Sequence, residues 1–149
     1  MNSFLITGAI AAVFALGAAA SEKKVDFKDL PSPVQAAVKE QTRNATLVSI
    51  TSEVEKGKTT YEVETKVNGK SRDVTLDPSG TLLSVEEETT LDQIPAAAKA
   101  AIEKQAAGGK VFKVETVTQG KTVTYEAHIE KQGKKKEFTV NAEGKQVKD

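Results

Sequence analysis

Leu30-Pro31 returns as Ile94-Pro95, Tyr61-Glu62 as Tyr125-Glu126, Gly69-Lys70 as Gly133-Lys134, Thr75 as Thr139 and Gly80 as Gly144, each pair 64 positions apart. Apolar positions keep the same spacing: Val38 with Ile102, Leu47 with Val111, Ile50 with Val114, Val74 with Phe138, Leu76 with Val140. One single-residue slip falls where Gly57-Lys58 aligns with Gly120-Lys121. Turn and core residues that recur in one register point to a duplicated small unit, because the period is too long for a solenoid repeat. A chain of 149 residues has room for one ordinary domain or two very small ones.

Each unit reads as one helix followed by four strands. In the first, Leu30, Val34, Ala37, Val38 and Gln41 share a helical face. Asp29 or Ser32 is the expected cap, and Pro31 and Pro33 suit a first turn whose N–H groups have no partner. In the second, Asp92 is the expected cap, Ile94, Ala98, Ala101, Ile102 and Gln105 form the face, and Gly108-Gly109 stops the helix. Strands follow by period-two alternation, with Val63, Thr65 and Val67 interleaved by Glu62, Glu64 and Lys66. Asn68-Gly69 signals a type I′ hairpin, and Asp77-Pro78-Ser79-Gly80 a turn. Val147 is expected on the last strand, and Glu86 to Thr90 as the link between units.

The predicted fold class is therefore α+β. A tandem duplicated unit of one helix packed on a four-stranded antiparallel sheet spans 21–90 and then 91–149. A core of roughly sixty residues is marginal alone. The two units are thus expected to pack together or share one continuous sheet.

Residues 1–20 are read apart from the fold. Phe4 to Ala20 is an uninterrupted apolar or small run that ends in Ala18-Ala19-Ala20 and meets Ser21-Glu22-Lys23-Lys24. This pattern predicts a secretory signal peptide cleaved after Ala20. The run is shorter than the roughly 20 residues a membrane span needs. The expected address is exported, periplasmic or secreted, with no stable membrane insertion after cleavage. The absence of cysteine removes thiol catalysis, disulfides and Cys-type zinc sites from consideration. Lysine and arginine number 21, as do aspartate and glutamate, which gives no reason to expect nucleic acid as a partner.

Leu-Pro-x-x-Val-x-x-Ala-Val from Leu30, Tyr-Glu-Val-Glu from Tyr61, the Gly69-Lys70 turn and Val-Thr-Leu-Asp-Pro-Ser-Gly-Thr-Leu-Leu from Val74 carry a family resemblance. They resemble the PepSY-like family, related in fold to the β-lactamase-inhibitor protein. Leu30 to Val85 match well. Leu91 to Val147 match less well, with Ala127 and His128 departing from the pattern. The resemblance implies an exported, non-enzymatic module that binds or inhibits a protein, such as a peptidase, in the cell envelope. In the inhibitor fold a polar concave sheet face meets the partner. No contact residue is carried over.

Catalytic and metal chemistry find little support in the sequence. His128 is the lone histidine, alternates with Glu126 and Glu130, and is expected as a solvated strand residue. A transition-metal site ordinarily draws on several N or S donors, so no metal or cofactor is expected. Glu53/Glu55, Glu62/Glu64 and Glu86-Glu87-Glu88 read as solubility charges on an outward face. The few serines sit in no nucleophile pattern, and phosphate loops are absent. From Ser21 to Thr90 there are 10 basic and 13 acidic residues; from Leu91 to Asp149 there are 11 and 8. Lys134-Lys135-Lys136 crowd one hairpin tip. The surface assigned to a protein partner is the outward strand face: Glu62, Glu64 and Lys66, with Glu126, His128 and Glu130. The alternative is an envelope sensor or binder of small ligands, metal ions or anionic polymers.

Overall fold

Helix α1 (Ser32–Gln41) buries Val34 and Val38, one turn apart, and that apolar stripe needs an apolar sheet face to cover. The strands supply it. In the computed structural model, which describes residues 21–147, β2 (Thr46–Glu55), β3 (Lys58–Val67), β4 (Lys70–Leu76) and β5 (Leu82–Thr89) follow α1. Ile50, Val63, Val74 and Leu76 pack with Leu30, Val34 and Val38 into one core. Helix α2 (Ala96–Ala106) is followed by β6 (Lys110–Gln119), β7 (Thr122–Lys131) and β8 (Lys134–Val140). Ile94, Ala98, Ile102 and Ala106 pack there against Val114, Ala127, Ile129 and Val140. A buried Val, Leu or Ile contributes roughly 1.5–3 kcal/mol, so these two clusters hold both helices to the sheet. The expected signal peptide, Met1–Ala20, lies outside the described residues.

All the strands form one eight-stranded sheet in chain order, and every neighbouring pair is antiparallel. Pairing of β5 with β6, from Val85↔Thr118 to Thr89↔Val114, joins the two halves without a break. The α+β class and a single continuous sheet thus stand as expected.

Several details differ from expectation. Ser21–Lys24 forms an additional edge strand, β1, paired with Thr51–Val54 of β2. Its sequence is charged, which suits an edge that must not recruit another strand. Glu86–Thr89, expected in a linker, belongs to β5. The second half does not show a fourth strand among the described residues: β8 is followed by a single bridge, Val140↔Gln146, and Val147 donates its N–H to Thr139 O. Neither helix has a side-chain cap. Pro31 and Pro95 occupy the N-cap positions, and Asp29 and Asp92 fall in short 3-10 turns just before them. Asp92 instead pairs with Lys99 at 2.6 Å.

Two turns lock sheet to helix. Asp77 Oδ1 accepts the N–H groups of Ser79 and Thr81, and Asn141 Oδ1 accepts those of Glu143 and Lys145. Both turns end on a left-handed glycine pressed against a helix: Gly80 on Pro33 O and Gly144 on Ala97 O. A Cβ at Gly80 would lie 2.5 Å from that carbonyl, at φ +81°. Gly80→Ala and Gly144→Ala should each destabilise the fold by about 1–3 kcal/mol in chemical denaturation. Gly57→Ala, with nothing within 4 Å, isolates the φ strain and should be milder. Equal losses at Gly57 and Gly80 would refute the helix-contact argument.

Candidate functional site

Side chains alternate across a strand, so residues next to the core positions face away from the helices. The register gathers them into rows. Thr51, Glu62, Thr75 and Ser84 form one row. Ser49, Glu64, Asp73, Glu86 and Val117 form the next. Glu88, Glu115, Glu126 and Thr139 form a third, and Lys113, His128 and Glu137 a fourth. Directly opposed side chains lie about 5 Å apart, so long carboxylates from adjacent strands crowd and shield one another.

That crowding overturns the expectation of a solvated face. Glu62 is 7% exposed, Glu126 4% and Glu115 1%. Glu64 is half-buried, and Lys66 and Glu130 are exposed as expected. His128 is no solvated strand residue: its side chain is 12% exposed and lies among carboxylates. Alternation reveals which face a residue occupies, not how much its neighbours cover it.

The two ends of the face handle charge differently. Around Glu62 it is uncompensated. Burial, then repulsion from Glu64, Asp73 and Glu86, pushes the Glu62 carboxyl up to about 8. Burial, then Glu115, Glu126 and Asp73, pushes Glu86 up to about 8 against an opposing pull from Lys113. The local donors are hydroxyls and amides: Ser49 donates to Glu64 at 2.5 Å, Thr51 to Glu62 at 3.4 Å, and the Ser71 N–H to Glu88 at 3.0 Å.

Around His128 the charges are paired. Its Nε2 lies 2.8 Å from Glu115 Oε2 and 3.3 Å from Glu126 Oε1, and its Nδ1 lies 3.6 Å from Glu137 Oε1. Burial alone would lower the imidazole, but hydrogen bonds to Glu115 and Glu126 outweigh it and hold it up at about 9. Lys113 Nζ sits 2.6 Å from Glu115 Oε1. Against the opposing effect of burial, His128 and Lys113 together keep the Glu115 carboxyl below its ordinary value. Phe112 stands beside this cluster, its ring 5.7 Å from the imidazole and 5.1 Å from Lys135 Nζ. It is 42% exposed because the β6 bulge between Val111 and Lys113 turns it out of the ladder.

Thus the structure brings together Glu62 and Glu64 at one end and Glu126 and His128 at the other, while Lys66 and Glu130 lie at the periphery. Sequence reasoning missed Asp73, Lys113 and Glu115 altogether and placed Glu86 and Glu88 in a linker. Their alternation was legible, but Val117 on the same face interrupts the polar pattern. Two open grooves flank the face. One of about 240 Å³ is lined by Glu88, Phe112 and Lys113 among others, and one of about 340 Å³ by Ser71, Arg72 and Glu88 among others. No helix among the described residues is long and apolar enough to cross a membrane.

Known proteins place this architecture. Residues 34–86 match the PepSY family, described as peptidase propeptide and YPEB domain. No curated protein matches the chain. Among solved structures, a protein described as periplasmic from Bacteroides eggerthii superposes with TM-score 0.66 at 21% identity, covering 80% of this chain and 86% of that one. A DUF2874 family protein from Bacteroides uniformis gives 0.63 at 20% identity, over 79% and 86%. A BLIP-like protein from Bacteroides fragilis gives 0.57 at 22% identity, over 79% and 83%. The chain has a PepSY/BLIP-like fold, with the PepSY match on residues 34–86.

Glu62 makes stability depend on pH. The folded protein keeps a proton up to about pH 8 that the unfolded chain releases near 4.5, so stability falls as pH rises between those values. Glu62→Gln removes this titration. The variant should match the parent at about pH 4 and exceed it by about 1–3 kcal/mol at about pH 9 in urea denaturation. A constant difference across that range would disprove the assignment.

Proposed function

We propose that this protein is an exported, non-enzymatic binding module of the cell envelope, and that it docks a basic segment of a peptidase-like protein on its acidic sheet face. The observation that carries the reading is the crowding of buried Glu62 with half-buried Glu64, Asp73 and Glu86, carboxyls whose charged forms disfavour one another on a face that no described element covers. An incoming lysine or arginine would supply the missing counter-charge. Charge complementarity of this kind sets specificity and association rate. Glu62, Glu64 and Lys66, with Glu126, His128 and Glu130, make up the proposed partner surface. The peptidase class is supported by the peptidase-propeptide description of the matched family. Export is supported by the Met1–Ala20 leader pattern and by the periplasmic description of a similar structure.

The module is further proposed to be two copies of one unit, 21–90 and 91–149. The bulged residues Val48 and Phe112, and the turns at Asp77 and Asn141, lie 64 positions apart and support the duplication. A non-enzymatic role is supported by the peptidase-propeptide description of the matched family and by the open form of the grooves that flank the face.

A peptidase of the kind whose propeptides carry this family's domain is the class of partner to test. Binding by biolayer interferometry should weaken with salt, and Glu64→Lys or Glu86→Lys should reduce affinity by about tenfold or more. Substituting Lys134, Lys135 and Lys136 together should leave it within about twofold. The docking reading is rejected if binding is absent at micromolar concentration or indifferent to both acidic-face variants. The binder-of-ions alternative draws on a separate observation, the cluster around His128.

A further inference from the structure

We propose that Glu115, Glu126 and His128 form a zinc-type divalent metal site on the β6–β7 part of the polar face. The inference shares Glu126 and His128 with the proposed partner surface but rests on its own geometry, and its test reads zinc rather than the partner. His128 Nε2 and one oxygen from each glutamate lie within 4.8 Å of one another. Two of those separations are already 2.8 and 3.3 Å. Ligands about 2.0–2.1 Å from a tetrahedral ion stand about 3.3 Å apart, so small side-chain shifts would close the set.

The outer contacts favour a built site over a chance meeting of charges. Each converging group is held through its other polar atom. Glu115 Oε1 meets Lys113 Nζ, Glu126 Oε2 accepts from Thr139 Oγ1 at 3.3 Å, and His128 Nδ1 faces the Glu137 carboxylate at 3.6 Å. Metal-bound imidazoles are characteristically oriented by a carboxylate on their second nitrogen. The three atoms left over, Oε2, Oε1 and Nε2, point at one another, and the proton now between them would give way to the ion. One imidazole and two carboxylates suit zinc and its neighbours, whereas calcium takes six to eight oxygen ligands. Three protein ligands leave a fourth position open for water or an incoming group. At the other end of the face the equivalent positions, 64 residues earlier, are Thr51, Glu62 and Glu64, with no nitrogen donor. That end should not bind zinc and serves as an internal control.

The test is titration of the purified protein, carrying no histidine tag, with zinc chloride in a chelator-free buffer. Calorimetry should give one ion per chain. Since His128 is the single histidine, its ring signals in a ¹H–¹³C spectrum are unambiguous and should shift with zinc. Glu126→Gln and His128→Gln should each weaken binding by about a hundredfold, and Glu137→Gln, a positioning residue, by about tenfold. Glu64→Gln should change it by less than about twofold. The spectrum of the unsubstituted protein decides the matter even if a variant fails to fold. No binding up to about 1 mM zinc, or binding that leaves the His128 signals unmoved, overturns the proposal. So does calcium competing with zinc on equal terms.

Discussion

β5 and β6 pair antiparallel from Val85↔Thr118 to Thr89↔Val114, and that ladder is where the two halves of the sheet become one. Its register has two effects. On the helix side the pairs at the seam are largely polar, Val85 with Thr118 and Glu87 with Thr116, so the apolar residues stay in two separate clusters, one under each helix. On the far side it sets Glu86 across from Val117 and Glu88 across from Glu115. A slip of one residue would exchange the faces and send these carboxylates toward the helices. The acidic face thus depends on the same backbone pairing that joins the two halves of the sheet.

Such a face has an energetic consequence. Removing a carboxylate from water is unfavourable unless a cation or several donors replace the lost hydration. Glu115, the most deeply buried of them, meets both Lys113 and His128. Glu62 has only a long hydrogen bond from Thr51. The first arrangement stabilises the charge locally. The second leaves it unfavourable in the isolated chain, and a binding partner bearing positive charge would relieve it. Residues that lower stability at the place where something else is to be bound are a common feature of functional surfaces.

Much of the scaffold was legible in the residues because it rests on local periodicity. Val34 and Val38 announce α1, Val63 and Val67 announce β3, and Asn68-Gly69 fixes the hairpin between β3 and β4, with φ +52° and +81° at its two residues. The misreadings come from context. Ser21–Lys24 carries no apolar alternation, and it becomes a strand only because β2 offers an edge. Asp92 has the right chemistry for a cap, yet Pro95 starts the helix and Lys99 captures the carboxylate. Glu62 and His128 were assigned to the correct face. Their burial depends on what stands on the neighbouring strands, and no single strand contains that information.

The two ends of the polar face share a frame and differ in chemistry. Thr51 opposes Glu62 as Glu115 opposes Glu126, each pair joining neighbouring strands at positions 64 apart. Around that common carboxylate, Ser49 corresponds to Lys113, Thr51 to Glu115, and Glu64 to His128. Hydroxyls and acid at one end stand where cation, acid and imidazole stand at the other. The backbone tolerates both sets because the fold is decided on the opposite face, by the residues under α1 and α2. Exposed chemistry can therefore diverge while the sheet stays fixed, so one end holds carboxyls that a cationic ligand would help to ionise as the other carries its own counter-charge.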